Sequence, residues 1–280
     1  MSLFELSVVL CNIIRLLEMT QLKNRTILPI IWLSFLLVLV TACSTDTQKS
    51  TTSAEKEVTA TPQILSDDPS LSAWAQLIRG ALTDYTAVYV EKPVFLGGSG
   101  HLGLPMEEQI RNHQIRYADL ASLQTHQRVS AREELGYHYE LGSFTNARGL
   151  EFKHLLILKE EGDTMRRELE FIARAAPTDS TIQQAIDKRR AEWIRLCNAH
   201  NAAELVKELY SANAMYYNHK PLVIGHDAII EDYQYMNEEK YSLTLTPIAV
   251  ELVTNRLAYE IGQCSGSYGG KYMLVWQKDK

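Results

Sequence analysis

Leu243-Thr-Leu-Thr-Pro-Ile-Ala-Val-Glu-Leu-Val253, Arg256-Leu-Ala-Tyr-Glu-Ile-Gly-Gln263 and Lys271-Tyr-Met-Leu-Val-Trp-Gln277 decide how this chain folds. Each alternates at period two, as in Leu257/Tyr259/Ile261 and Tyr272/Leu274/Trp276, and turn residues separate them (Thr254-Asn255 and Gly266 to Gly270). Three long consecutive strands joined by short turns predict an antiparallel meander. Upstream, Ile182, Ile186, Trp193, Leu196 and Cys197 recur at helical spacing over 181–200, with Lys188, Arg190 and Glu192 off that stripe. Asp179 or Ser180 can cap this helix. A short helix over 202–210, a strand near 214–217 and a helix from Asp227 to about Met236 complete the pattern. Helices first and sheet last is an α+β arrangement, in which the sheet bends into a cup closed by the Ile182–Cys197 helix.

A second, earlier stretch resembles this one. Ala75-Gln-Leu-Ile-Arg and Ala87 to Gly97 match Ala203-Glu-Leu-Val-Lys and Met215 to Gly225 at an offset of 128. Tyr139-Glu-Leu-Gly142 matches Tyr259-Glu-Ile-Gly262 at 120, and Lys153–Leu158 matches Lys271–Trp276 at 118. The fall in offset predicts an eight-residue insertion in the first copy, with Gly97–Pro105 as a surface loop. Tandem domains over 70–176 and 180–280 follow. The loop lacks the Gly-Lys-Ser/Thr of a phosphate cradle. The first copy lacks a long opening helix before residue 70, or else Leu71–Leu82 is that helix, with Trp74 matching Trp193. The first copy also has a last strand, Met165–Ala173, without a counterpart in the second. Either the second copy is truncated or one of its edge strands is left open.

Asn198 to Tyr217, then Gly225-His-Asp-Ala-Ile229, then three strands, resembles the NTF2-like superfamily, in particular its SnoaL-like and DUF4440-type domains. The resemblance implies two cones, each with helices wrapped in a curved sheet around an apolar pocket. That superfamily includes ketosteroid isomerases and polyketide cyclases. The isomerase base falls on Asn218 in the second copy and Val90 in the first, neither of which takes a proton near neutral pH. The helix donor position falls on Trp193, and Tyr272 or His154 stands near the second donor position. Non-catalytic binding of a small apolar ligand or a protein partner is therefore expected, with Trp193, Tyr217, Asn218, Tyr233, Tyr259 and Tyr272 lining the pocket. The alternative is an isomerase, cyclase or hydrolase with Glu260 or His219 as its acid or base; His226 is a further histidine at the same mouth. Alternation placing Tyr259 inward would put Glu260, like Glu140, on an outward face; if the concave face takes Glu260 instead, it becomes the best acid or base candidate. Pairing of two chains through their sheet faces is also implied.

The N-terminal part addresses the protein. Lys23 and Arg25 precede a fourteen-residue apolar run, Ile27–Val40, too short to span a bilayer, and Val40-Thr-Ala-Cys43 follows. This resembles a bacterial lipobox and implies lipidation of Cys43, removal of residues 1–42, and a lipid anchor in the cell envelope. Ser44 after the cysteine favours the outer membrane. Residues 1–18 do not fit that scheme, which makes Met19 the expected start. Residues 43–69 are rich in Ser and Thr and form a tether. A net charge of −6 gives no basic face for nucleic acid. Cys197 and Cys264 are either a disulfide of an oxidising compartment or two buried apolar residues. No cysteine or histidine spacing suggests a metal, and no cofactor is expected.

Overall fold

A computed structural model describes residues 4–11, 67–98 and 100–278. In chain order these form strand β1 (Phe4–Cys11), helix α1 (Pro69–Ile78), β2 (Tyr89–Leu96), α2 (Met106–Tyr117), β3 (Leu120–Arg132), β4 (Tyr137–Asn146), β5 (Glu151–Glu161) and β6 (Thr164–Arg174). There follow α3 (Thr181–Asn198), α4 (Ala202–Leu209), β7 (Tyr210–Tyr217), β8 (Val223–Ile224), α5 (His226–Asp232), β9 (Leu243–Thr254), β10 (Leu257–Gly266) and β11 (Gly270–Lys278). The class is α+β, as expected. The lipobox, Met19 and most of the tether lie outside the described residues. No helix among the described residues is long and apolar enough to cross a membrane.

Local chemistry accounts for the starts of α1, α3 and α4. Asp68 caps α1 by accepting from the N–H groups of Ser70 and Leu71, with Pro69 in the first turn, where its missing donor is harmless. Asp179 accepts from Thr181 at the start of α3 (2.8 Å), and Asn201 accepts from Glu204 at the start of α4 (3.0 Å).

The strands form two mixed sheets. One is five-stranded, β2-β6-β5-β4-β3, with β2 parallel to β6 and the rest antiparallel. The other runs β8-β7-β1-β11-β10-β9, with β7 parallel to β1 and the rest antiparallel. Helices α1 and α2 cover one face of the first sheet over a core including Trp74, Ile78, Tyr89, Tyr117 and Phe144. Helices α3, α4 and α5 cover one face of the second over Ile186, Trp193, Leu205, Tyr233 and Trp276. The remaining faces pack on each other: Tyr139, Leu141, Leu155 and Ile157 meet Tyr259, Ile261, Met273 and Val275.

Several expectations are corrected here. The sheet faces expected to pair two chains are buried against each other within one chain. The second sheet has no open edge where the missing strand was expected, because Phe4–Cys11, read as leader, lies there between β7 and β11. There is no eight-residue insertion. Trp74 Nε1–H donates to the Tyr89 hydroxyl just as Trp193 Nε1–H donates to that of Tyr210, each at 3.1 Å. Tyr89 thus stands to Trp74 as Tyr210, not Tyr217, stands to Trp193, and the nine residues from Gly97 and the eight after β7 are connections of similar length. Cys197 and Cys264 are buried free thiols, and burial pushes the Cys197 thiol up to about 12.

Candidate functional site

The repeated Tyr-Glu-(Leu/Ile)-Gly lies on β10 and β4, strands paired on both sides, where both faces are buried. Tyr259 and Ile261 enter the layer between the sheets, so Glu260 points under the helices and is fully buried. Of the two placements left open, Glu260 takes the helix-covered one; the outward alternative assumed that one face meets water. Arg190 of α3 donates to both Glu260 oxygens, Nε to Oε1 and Nη2 to Oε2, each at 2.7 Å. The Tyr272 hydroxyl donates to Oε1 at 2.7 Å and Trp276 Nε1–H to Oε2 at 2.8 Å. Four donors, two of them charged, occupy this carboxylate. Arg190, set off the helix stripe in the sequence reading, is buried as well.

Glu140 repeats the arrangement with different partners. Arg128 Nε–H donates to it at 2.6 Å, and His154 Nε2 lies 3.0 Å from its other oxygen. Arg128 also pairs with Asp68 at 2.7 Å, which ties the α1 cap to the buried carboxylate. Burial alone would raise the Glu140 pKa, but the His154 hydrogen bond and charge, with Arg128, outweigh it and hold the group below the usual carboxylate range. The His154 pKa is lowered: burial pushes it down against the hydrogen bond and charge of Glu140, and the Arg167 charge adds to the lowering.

The final residue of the motif explains its spacing. Gly142 stands opposite His154, and Gly262 opposite Tyr272. A Cβ at either glycine would overlap the ring of that partner. Absence of a side chain lets the neighbouring ring lie across the strand and reach the glutamate two residues back.

A third buried carboxylate, Glu170 on β6, had no sequence signal. It meets His113 Nε2, Arg167 at 2.9 Å and the Tyr89 hydroxyl at 3.1 Å, and Arg167 lies 4.3 Å from the Trp74 ring centroid. His113 Nδ1 faces the Gln109 carbonyl at 2.8 Å, so that nitrogen carries a proton and Nε2 is turned toward the carboxylate. Burial opposes ionisation of Glu170, but the charge and hydrogen bond of His113, then Arg167, bring it down to about 2.

These shifts set an acid limit. His154 has a folded pKa below its ordinary 6.5, so its contribution is complete above that value and is lost as pH falls through it. Glu170 contributes fully above 4.5 and loses its contribution as pH falls toward about 2. Urea unfolding is expected to show stability declining from about pH 6.5, and more steeply below 4.5. His154→Gln should flatten the upper part of this profile.

The sequence-derived pocket residues are divided between two cores and a bend. Trp193, Tyr233 and Tyr272 point under the helices and fill the core there, the Tyr210 hydroxyl linking Trp193 to Tyr233. Tyr217 and Tyr259 face the other sheet. Asn218 and His219 lie in the bend after β7, and Val90 is half-buried on β2. His219 adopts a left-handed conformation (φ 51°). Its Nδ1 lies 2.6 Å from Glu168, which also accepts from the Tyr217 hydroxyl at 2.7 Å, and its ring lies 3.9 Å from that of Tyr137. Burial would raise the Glu168 pKa, yet His219, Tyr217 and Tyr137 together hold it low. His219 thus joins the two sheets. His226 Nε2 lies 2.9 Å from the Tyr210 carbonyl.

A polar chain also runs along the rim between the sheets. Ser143 Oγ lies 2.9 Å from His126 Nε2, and His126 Nδ1 lies 2.5 Å from Glu251, which Lys153 approaches at 3.4 Å. The order resembles a nucleophile relay, but Ser143 sits in mid-strand with its backbone opposite Gln124 and Lys153. Its N–H belongs to the sheet ladder, whereas an oxyanion site needs free donors beside the nucleophile.

Space for a small molecule lies elsewhere. A cavity of about 270 Å³ opens between the start of α1 and the β5–β6 turn. Pro69, Ala73, Ala87 and Met165 make its apolar wall, and Arg128 with Asp68 supplies polar groups. A second cavity of about 280 Å³ lies between β2 and the 101–104 loop and has Glu91, Lys92 and His101 in its wall. A third, about 470 Å³, follows the connection 174–178 and is edged by Glu151, Lys153 and Arg174.

No family model matches the chain, and no curated protein matches it. Among solved structures it is similar to a DUF4783 family protein from Bacteroides ovatus ATCC 8483, at TM-score 0.31 and 10% identity over 41% of this chain and 99% of that one. It is also similar to a domain of unknown function with a cystatin-like fold from Nostoc punctiforme PCC 73102 (0.30; 12%; 44% and 79%). A third is an uncharacterized protein with a cystatin-like fold from Caulobacter vibrioides (0.29; 9%; 42% and 89%). The resemblance to NTF2-like, SnoaL-like or DUF4440-type domains is thereby corrected. It rested on an order of elements, helices followed by a meander, which specifies an architecture and not a family.

Proposed function

We propose that this protein is a non-catalytic binding protein of the bacterial envelope and that the cavity beside Arg128 takes a small apolar molecule. The observation that carries this reading is the occupancy of the buried carboxylates. Glu260 and Glu140 each accept charged hydrogen bonds from an arginine and are held again by a neighbouring ring. A general base needs a free lone pair within reach of a substrate proton. The Pro69–Met165 cavity has instead the makeup of a small-molecule site, an apolar wall with a few polar groups.

Within this proposal the two sheets with their helices are two copies of one cone-like fold. The repeated strand order and the two Trp–Tyr hydrogen bonds support it. A lipid on Cys43 would hold both at the outer membrane; this part rests on the sequence alone.

Titration of the protein with 1-aminoanthracene, a flat apolar fluorophore, tests the binding site. Saturable enhancement is expected with the unmodified protein. Ala73→Trp, which projects an indole into the cavity, should weaken it at least tenfold while cooperative unfolding is retained. Equal binding by the variant, or no saturable binding by the unmodified chain, contradicts the reading.

A further inference from the structure

Strand β1 occupies an unusual place for a segment so distant in sequence. Its backbone runs parallel to β7, with Val8 opposite Met215, Val9 opposite Tyr216 and Leu10 opposite Tyr217. On its other side it runs antiparallel to β11, from Phe4 opposite Lys278 to Cys11 opposite Tyr272. In the first sheet the same place, parallel to β2 and antiparallel to β5, belongs to β6, which follows β5 through a tight turn. No strand follows β11 among the described residues. The place is taken instead by residues 4–11, with residues 12–66 between them and the rest of the fold.

The position cannot stand empty at low energy. Strand β1 is the seam of its sheet: without it β8-β7 separates from β11-β10-β9. Two facing rows of N–H and C=O groups would then lose their partners beneath α3 and α4, both of which lie against β1. Unpaired buried backbone groups are strongly unfavourable, and any extended backbone of suitable pattern would satisfy them.

We infer that the slot between β7 and β11 is a strand-binding site for an extended apolar peptide, and that Phe4–Cys11 is its resident occupant. The geometry specifies the ligand: about eight residues, as in Phe-Glu-Leu-Ser-Val-Val-Leu-Cys, parallel to β7 and antiparallel to β11. The slot belongs to the sheet whether or not the chain is cut before Cys43. If it is cut there, as the proposed lipid anchor requires, the occupant is lost and the site is open to a strand of the same pattern from a partner.

Two measurements on the full-length protein test this. Hydrogen exchange followed by mass spectrometry should show amides of residues 4–11 protected about a hundredfold or more over the free peptide. Exchange at free-peptide rates, with 210–217 and 270–278 still protected, overturns the inference and needs no variant. In the second, a protease site placed within residues 46–60 is cut after folding, and a fluorescein-labelled peptide of residues 1–14 is added. Slow, saturable replacement of the N-terminal piece by this peptide, and not by a scrambled peptide of the same composition, is the expected result. Equal uptake of the scrambled peptide, or immediate release of the N-terminal piece with the remaining sheet intact, contradicts it. A failure of 1-aminoanthracene binding leaves this result untouched, because that cavity lies on the other sheet.

Discussion

Glu260→Ala is expected to lower folding stability by about 3–5 kcal/mol, the usual result of breaking a buried ion pair from one side. The carboxylate is fully buried, and Arg190 uses two of its nitrogens on it. In the variant the guanidinium keeps only Asp187, at 2.8 Å and itself half exposed. Tyr272 and Trp276 lose their acceptor at the same time. The midpoint of urea unfolding should fall with little change in slope. Glu260→Gln, which keeps the shape but not the charge, should lie between the two. A glutamate on a solvated strand face would show a change within about 0.5 kcal/mol, so the experiment separates the two placements.

The second large effect is expected at a residue with no polar chemistry. In Gly262→Ala the new methyl group would overlap Cζ and the hydroxyl of Tyr272. That ring cannot simply swing away, since its hydroxyl donates to Glu260 at 2.7 Å. Overpacking and the loss of a hydrogen bond to a charged acceptor together should cost at least about 2 kcal/mol. Thermal unfolding of the variant checks this, and Tyr272→Ala in the same chain should recover part of the loss by opening the space. Gly142→Ala should behave likewise against His154.

How much was legible in the chain depended on whether each signal was local. The long helix read over 181–200 is found at Thr181–Asn198, and the three alternating segments are β9, β10 and β11. Their periodicity is a property of a few turns or one strand. The eight-residue insertion came from matching Ala87–Gly97 to Met215–Gly225 by similarity of side chains. The Trp–Tyr hydrogen bonds, which join residues fifteen and seventeen positions apart, instead place Tyr89 and Tyr210 in like positions against their helices.

The inward carboxylates were hidden for a different reason. Alternation tells which residues share a face, not which face meets water, and here neither does. A signal was present in α3: Arg190 continues the spacing Ile182, Ile186, Trp193 and so belongs on the buried stripe. Its charge argues against that placement in the sequence, where the buried acid that pairs with it, seventy residues on, is not evident. Arg167 and Glu170 share β6, but His113 reaches them only through tertiary structure. The cavity beside Arg128 depends on small side chains, Ala73 and Ala87, from separate elements, and composition does not register that. Strand β1 pairs with residues more than two hundred positions away, so an apolar segment near the N-terminus reads as leader unless its partners are known.

A double-mutant cycle between Arg190 and Glu260 tests most directly whether the repeated glutamate is a structural anchor. Arg190→Met, Glu260→Leu and the pair would be compared by urea unfolding. A coupling energy of about 2 kcal/mol or more is expected, with the double variant less destabilised than the sum of the singles. Additive effects within about 0.5 kcal/mol would show that the two residues do not hold each other, and would contradict the placement of Glu260 on which the non-catalytic reading depends.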